Sequence, residues 1–289
     1  MEFPKIQISP LLVGFWFLCS VALVHGWGND GHLTVCRLAQ PRLSEAAANA
    51  VKDLLPAYAE DDLGSLCSWA DRVKFRRPWS SPLHYIDTPD DLCTYQYTRD
   101  CKDADGIKDR CVVGAINNYT TQLLTYGQES ASQYNLTEAL LFLSHFMGDI
   151  HQPLHVGFTS DRGGNTIDVH WYTRKSVLHH VWDNNIIDTA EERYDDSDVT
   201  ELIDAIQTNI TLKGNYRVKT WEGCTTGNPP CPDVYATESI KAACNFAYKG
   251  VTEESVLEDP YFLTRVPIVY LRLAQGGVRL AATLNSIFG

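Results

Sequence analysis

The sequence predicts one all-α domain, compact and disulfide-stapled, with a short β-hairpin-like segment. Three observations lead there. Apolar residues recur at helical spacing over several long runs, whereas strand-like alternation occurs once. No linker, repeat or low-complexity tract divides residues 27–289, so one domain is the economical reading. The chain holds nine cysteines. Removing Cys19 with the leader described below leaves an even set, as expected of a secreted, cross-linked protein.

The elements follow in order. Two short helices are expected over 32–39 and 44–55, separated at Pro41. Longer helices are expected over 112–126 and 137–150, the second entered through Asn135, a residue type suited to capping. The turn Asp161-Arg-Gly-Gly-Asn165 leads into a strand over 166–172. Further helices are expected over 178–189, 199–210, 237–248 and 260–287, with a Gly/Pro/Cys-rich loop over 220–233.

Residues 1–26 stand apart. Lys5 gives a basic start, 11–24 is an apolar run, and Val24-His25-Gly26 ends in small residues, the pattern of a secretory signal peptide cleaved before Trp27. No later stretch has the length and apolarity of a bilayer span. Cys101 with Cys111 and Cys224 with Cys231 are near enough to close small loops, and Cys36, Cys67, Cys93 and Cys244 supply two longer bridges. Sequons at Asn118, Asn135 and Asn209 permit glycosylation. The net charge of −12 argues against a basic duplex-binding face, so positive charge for a nucleic-acid partner must come from bound metal.

Five places concentrate ligand-type residues. In Leu143-Ser-His-Phe-Met-Gly-Asp-Ile-His-Gln-Pro-Leu-His155, His145 and Asp149 lie four apart on one helical face, and Pro153 breaks the helix and re-aims His155. Leu178-His-His-Val-Trp-Asp-Asn184 pairs His179 with Asp183 at the same spacing, with His180 and Asn184 as the competing face. Trp27 and His32 follow the cleavage site, where a freed amine and its own carbonyl could chelate a metal. Asp71 precedes Lys74, and His84 precedes Asp87. Each piece alone is as well read as core or surface ion pair. Together, with no thiolate pair at zinc spacing, they read as an imidazole and carboxylate site suited to zinc.

Trp27-Gly-Asn-Asp-Gly-His32, Trp69-Ala-Asp71, His84-Tyr-Ile-Asp87, the His145–His155 stretch and His179-His-Val-Trp-Asp183 together resemble the secreted trinuclear-zinc nucleases, the S1/P1 family of plant bifunctional and fungal single-strand nucleases. The resemblance runs from Trp27 to near the C-terminus, and the plant branch is the nearer match. It implies three zinc ions. One is held by Asp71, His84, His145 and Asp149, and a second by His155, His179 and Asp183. The third is held by the amine and carbonyl of Trp27, by His32 and by the other oxygen of a bridging Asp149. It implies that Asp87 orients the attacking water, Lys74 stabilises phosphate charge, Asn184 contacts substrate and Tyr85 stacks a base, and it leaves His151, His170 and His180 structural. The implied activity is hydrolysis of single-stranded DNA and RNA to 5′-phosphorylated products, with 3′-nucleotidase activity, by a monomer without stable membrane association. The implied place is the secretory pathway, then extracellular or vacuolar space. Six positive charges from three zincs outweigh Asp71, Asp149 and Asp183, which lets an acidic protein keep a positive cleft. A zinc phospholipase C is the alternative within this fold, and a zinc-storage protein the alternative outside enzymes.

Overall fold

A computed structural model describes residues 27–211, 218–224 and 229–289. The expected signal peptide lies outside the described residues, as do 225–228 of the expected loop. Nine labelled helices organise the chain: α1 (Asn29–Ala39), α2 (Glu45–Leu54), α3 (Trp69–Val73), α4 (Val112–Leu123), α5 (Leu136–Asp149), α6 (Ile186–Tyr194), α7 (Val199–Thr211), α8 (Pro232–Ala242) and α9 (Asp259–Phe288). Among the described residues, no helix is long and apolar enough to cross a membrane.

α5 is the central element. Asn135 caps it, its side-chain oxygen accepting from Glu138 N at 3.2 Å. From Ala139 to Asp149 every residue is buried, so the helix is packed on all sides. Pro153 cannot continue the helix, and Gln152 before it is extended at φ −79°, ψ 118°. A short 3-10 turn, Pro153–Val156, then carries His155 in a new direction. α4 packs along one side of α5, and α9 packs on α1.

The 166–172 expectation is met by β1 (Asp168–Trp171), which pairs antiparallel with β2 (Arg174–Val177), Asp168 opposite Val177. A third strand, β3 (Ser255–Leu257), joins β1 in parallel. Two expected boundaries move. α8 begins at Pro232 rather than 237, because proline at the first helical position needs no N–H partner. The helix expected over 178–189 extends to Tyr194 and contains a π-helical turn, Val181–Asn185. The two short loops close through Cys101–Cys111 and Cys224–Cys231, and the longer bridges are Cys36–Cys67 and Cys93–Cys244. Asn118, Asn135 and Asn209 are all exposed.

Candidate metal centre

Eight of the expected side-chain ligands converge in three groups: Asp71, His84 and His145; His32, His145 and Asp149; and His155, His179 and Asp183. Within each group one ligand atom per residue lies within 4.8 Å of the others, and all are buried. Asp149 joins the groups. Its Oδ2 lies 2.9 Å from His84 Nδ1 and 3.1 Å from His145 Nε2, while its Oδ1 lies 3.3 Å from His32 Nε2 and 3.7 Å from His155 Nδ1. Asp71 Oδ1 stands 3.7 Å from His145 Nε2 and 3.8 Å from His84 Nδ1. His179 Nε2 meets Asp183 Oδ2 at 3.2 Å.

Each ligand owes its aim to local structure. Three imidazoles share one device, Nδ1 donating to a backbone carbonyl: His145 to Cys67 at 2.8 Å, His155 to His84 at 2.6 Å and His179 to Gly163 at 2.6 Å. That bond fixes the tautomer and leaves the Nε2 lone pair for a ligand. Gly163 must be glycine, because its φ is +65° and a Cβ would sit 2.4 Å from Leu154 O. Gly148 has a similar need, since its Cβ would lie 2.6 Å from His32 Nδ1, where α1 and α5 bring the His32 and His145 rings to a 3.8 Å stack. The π-helical turn carries Asp183 and Asn184, an arrangement often found at functional sites. Trp27 is fully buried beside it, and Gly28 N donates to Asp183 O at 2.8 Å, so the start of α1 is tied to the ligand run.

The electrostatics favour the metal-binding protonation state at His32, His84, Asp71 and Asp149 and oppose it at His145 and Asp183. Burial, aided by His145, lowers the His32 pKa to about 4, and burial lowers that of His84. Burial by itself would raise the Asp71 and Asp149 carboxyls. The facing imidazoles overcome it, bringing Asp71 to about 2 and holding Asp149 well below its ordinary value. His145 runs the other way, because Asp149 and Asp71 outweigh the lowering effect of burial. Burial, with Asp71 and Asp149 nearby, pushes Asp183 up, opposed by Gln152. Neutral imidazole and ionised carboxylate are the forms a metal binds.

The donor set fits metal ions. His32 Nδ1 and Nε2, His84 Nε2 and Asp149 Oδ1 are buried without a hydrogen-bond partner among the described residues, a concentration unusual for a protein interior. The three groups require no thiolate and place two or more imidazoles or carboxylates around each position.

The other expected residues lie around this core. Lys74 is buried and donates to Asp71 Oδ1 at 3.0 Å, so its charge faces a ligand carboxylate. Asn184 donates to His180 Nδ1 at 3.0 Å and packs against Gly28. Tyr85 and Asp87 line a cavity of about 280 Å³ whose wall includes His179. Among the described residues, Asp87 shares no hydrogen bond or ion pair with the candidate ligand side chains, and it lines the cavity. Burial raises its pKa to about 6, partly offset by Arg162. His151 is set apart from the ligand groups, with Nδ1 donating to Met147 O and Nε2 accepting from Arg279. His170 lies 3.6 Å from Glu254, and His180 is exposed.

Two residues escaped the sequence reading. Gln152 is fully buried and donates to Asp183 Oδ1 at 2.5 Å, while its own oxygen accepts from Leu154 N. Its only signal was an amide flanked by histidine and proline in a buried stretch. Arg162, at φ +55°, lines the Tyr85–Asp87 cavity from the turn that the sequence marked only as a turn.

A model of the S1/P1 nuclease family matches residues 27–289. Endonuclease 2 of Arabidopsis thaliana is 63% identical over 286 residues, covering 98% of each chain. Endonuclease 4 of the same organism is 53% identical over 283 residues, 94% of this chain and 95% of the relative. Nuclease S1 of Aspergillus oryzae is 32% identical over 285 residues, 93% and 94% of the two chains. With the full span from Trp27 onward matched and the ligand groups assembled at one buried centre, the chain belongs to the S1/P1 nuclease family.

Proposed function

We propose that the protein is a secreted, zinc-dependent endonuclease that hydrolyses single-stranded DNA and RNA to 5′-phosphorylated products and also acts as a 3′-nucleotidase. The observation that carries this reading is the convergence of three donor groups on one buried centre joined through Asp149, beside an open cavity. Asp71, His84, His145 and Asp149 would hold one zinc, and His155, His179 and Asp183 a second. His32, Asp149 and the terminal amine and carbonyl of Trp27 would hold a third. When bound, such ions activate water near neutral pH and neutralise phosphoryl charge.

The chain's own residues supply the rest. Asp149 gives one oxygen to each side of the centre and so fixes the spacing of the first and third groups. Nδ1 bonds to backbone carbonyls hold three imidazoles in the ligand tautomer. Lys74 places a cation beside Asp71 where a phosphate would add negative charge. Asn184 offers an amide at the edge of the centre. Tyr85 offers a ring for stacking a base in the cavity, a contact that tolerates any base and suits a flexible strand. Asp87, read from the resemblance as a water-orienting group, lines the same cavity as Tyr85.

The test is elemental analysis and N-terminal sequencing of one purified secreted sample, followed by assays on single-stranded RNA, single-stranded DNA and phosphatidylcholine. Trp27 as the first residue, three zincs per chain and hydrolysis of both nucleic acids are expected. One zinc or none, or cleavage of phosphatidylcholine but not RNA, refutes the reading; the latter outcome would favour the phospholipase alternative, which the family match does not support.

A further inference from the structure

α5 ends where two carbonyls lose their helical partners. Past Pro153, which has no N–H, Leu154 N turns to Gln152 Oε1 and His155 N turns to Gln152 O. In a continued helix those two amides would take Ile150 O and His151 O, so both carbonyls are left over between the expected ligands Asp149 and His155. Side chains from α8 and α9 take them instead. Ser239 Oγ donates to Ile150 O at 2.5 Å, and Arg272 Nε donates to His151 O at 3.1 Å. Arg272 Nη2 also donates to Ser239 Oγ at 2.5 Å, which joins the two contacts into one clamp. Both side chains are buried.

The clamp is braced from behind. Arg272 Nη1 donates to Glu238 Oε2 at 2.9 Å and to Gln275 Oε1 at 2.6 Å. Arg279 grips the same carboxylate through both Nη atoms, at 2.6 and 2.9 Å, and lies over the Tyr235 ring at 4.3 Å. The trio therefore carries one positive charge in excess at the C-terminal end of α5, where helix carbonyls concentrate partial negative charge. Burial lowers the Arg272 pKa to about 10, which still leaves it charged at neutral pH. A buried ion pair is weak evidence for stability in itself, so its place at this turn calls for another account. We propose that Arg272, acting through Ser239 and the two carbonyls, is a positioning residue that fixes the turn from Asp149 to His155 and so the geometry of the metal centre. The proposal rests on the metal reading above and adds to it a residue from outside the ligand set.

The test compares Arg272→Met with Arg279→Met in the full mature chain. Each removes one buried guanidinium and leaves the other paired with Glu238, so neither strands a charge. Arg279 serves as the control because its bonds run to Glu238 and His151 Nε2 rather than to the two carbonyls. Zinc affinity is read by chelator competition, hydrolysis of bis(4-nitrophenyl) phosphate at saturating zinc, and stability by urea midpoint. Arg272→Met should hold zinc about ten- to a hundredfold more weakly, the range for groups that orient a metal ligand, and should lower kcat about tenfold or more with KM within about threefold. Arg279→Met should keep zinc affinity and kcat within about threefold of wild type even where its urea midpoint falls. Ser239→Ala, which removes a single oxygen, should weaken zinc binding several-fold, and it decides the matter if Arg272→Met does not fold. Wild-type zinc affinity and kcat in Arg272→Met or in Ser239→Ala, or an equal loss in Arg279→Met, overturns the proposal. Normal hydrolysis in every variant removes the positioning role and leaves the nuclease reading standing. A wild-type chain that binds zinc, loses affinity in Arg272→Met and cleaves no phosphodiester does the reverse.

Discussion

Gln152 offers the sharpest test of how the centre is held. Its amide is fully buried, and its Nε2 donates to Asp183 Oδ1 at 2.5 Å, leaving Asp183 Oδ2 to face His179 Nε2 at 3.2 Å. Replacing it with methionine keeps the length and apolar volume of the side chain but removes the donor to Asp183 and the acceptor for Leu154 N. A hydrogen bond to a charged group contributes about 1.5–3 kcal/mol. If Gln152 confers that stabilisation on the ionised, correctly turned Asp183, its loss weakens the second site by about ten- to a hundredfold. The same range is typical when a group that orients a metal ligand is removed. The sign is reinforced electrostatically, because burial and the neighbouring carboxylates push the Asp183 pKa up and the Gln152 bond works against them. The assay is competition for zinc against a chelator of known affinity, with thermal unfolding recorded on the same samples. Gln152→Met should release one zinc of the set at lower chelator concentration while the helical circular dichroism is retained. Wild-type affinity at all sites in Gln152→Met would show that Asp183 is oriented by its helix alone, and the argument from its hydrogen bond would fail.

Two further predictions follow from equally local observations. Glu191 is only 8% exposed, and burial, with Asp30 and Asp188 facing it, raises its pKa from 4.5 to about 7. A carboxyl raised in the folded state gives stability that is complete below its unfolded pKa and lost as pH climbs through the folded one. Glu191→Gln should therefore be more stable than wild type at pH 8 by about 1–3 kcal/mol, with the gap closing toward pH 5; a pH-independent difference in urea midpoint would contradict this. A variant with one extra residue ahead of Trp27 replaces the amine by an amide, and it should bind one zinc fewer and lose activity. Three zincs and full activity in that variant would remove Trp27 from the ligand set.

Much of this was legible because the chemistry is concentrated. His145, Asp149 and His155 share one stretch, and Pro153 announces where the helix must stop; the extended Gln152 and the 3-10 turn after it follow from that single residue. Asn135 marked the entry to the same helix and caps it. What escaped depends on contacts across the fold. β3 is three residues long and exists because β1 offers it an edge, a relation that local sequence does not encode. The π-helical turn at Val181–Asn185 replaces what periodicity reads as plain helix, since a single five-residue turn is too short to show its own repeat in the sequence. Gln152 and Arg162 were missed for a related reason. Neither residue type has a ligand spacing to betray it, and each finds its setting among residues distant in sequence, Asp183 for Gln152 and the cavity of Tyr85 and Asp87 for Arg162.

The carbonyls that orient the histidines show why fold and site are one problem. His145 is aimed by Cys67, His155 by His84 and His179 by Gly163. Cys67 is bonded to Cys36 on α1, the helix that carries His32, and it lies just before α3, which carries Asp71. One disulfide thus ties together the helix of one ligand, the segment of a second and the carbonyl that turns a third. His84 is itself a candidate ligand and orients another, His155, through its backbone carbonyl. Displacing Cys67 or His84 would therefore loosen a histidine from a different part of the chain. Burial of eight ionisable ligand side chains would be costly for a domain left without ions, because several of their polar atoms find no protein partner. Ions that satisfy those atoms bind the folded chain and not the unfolded one, so their binding free energy adds to folding stability. A metal-loaded centre would on this account act as a cross-link of the domain beside its four disulfides.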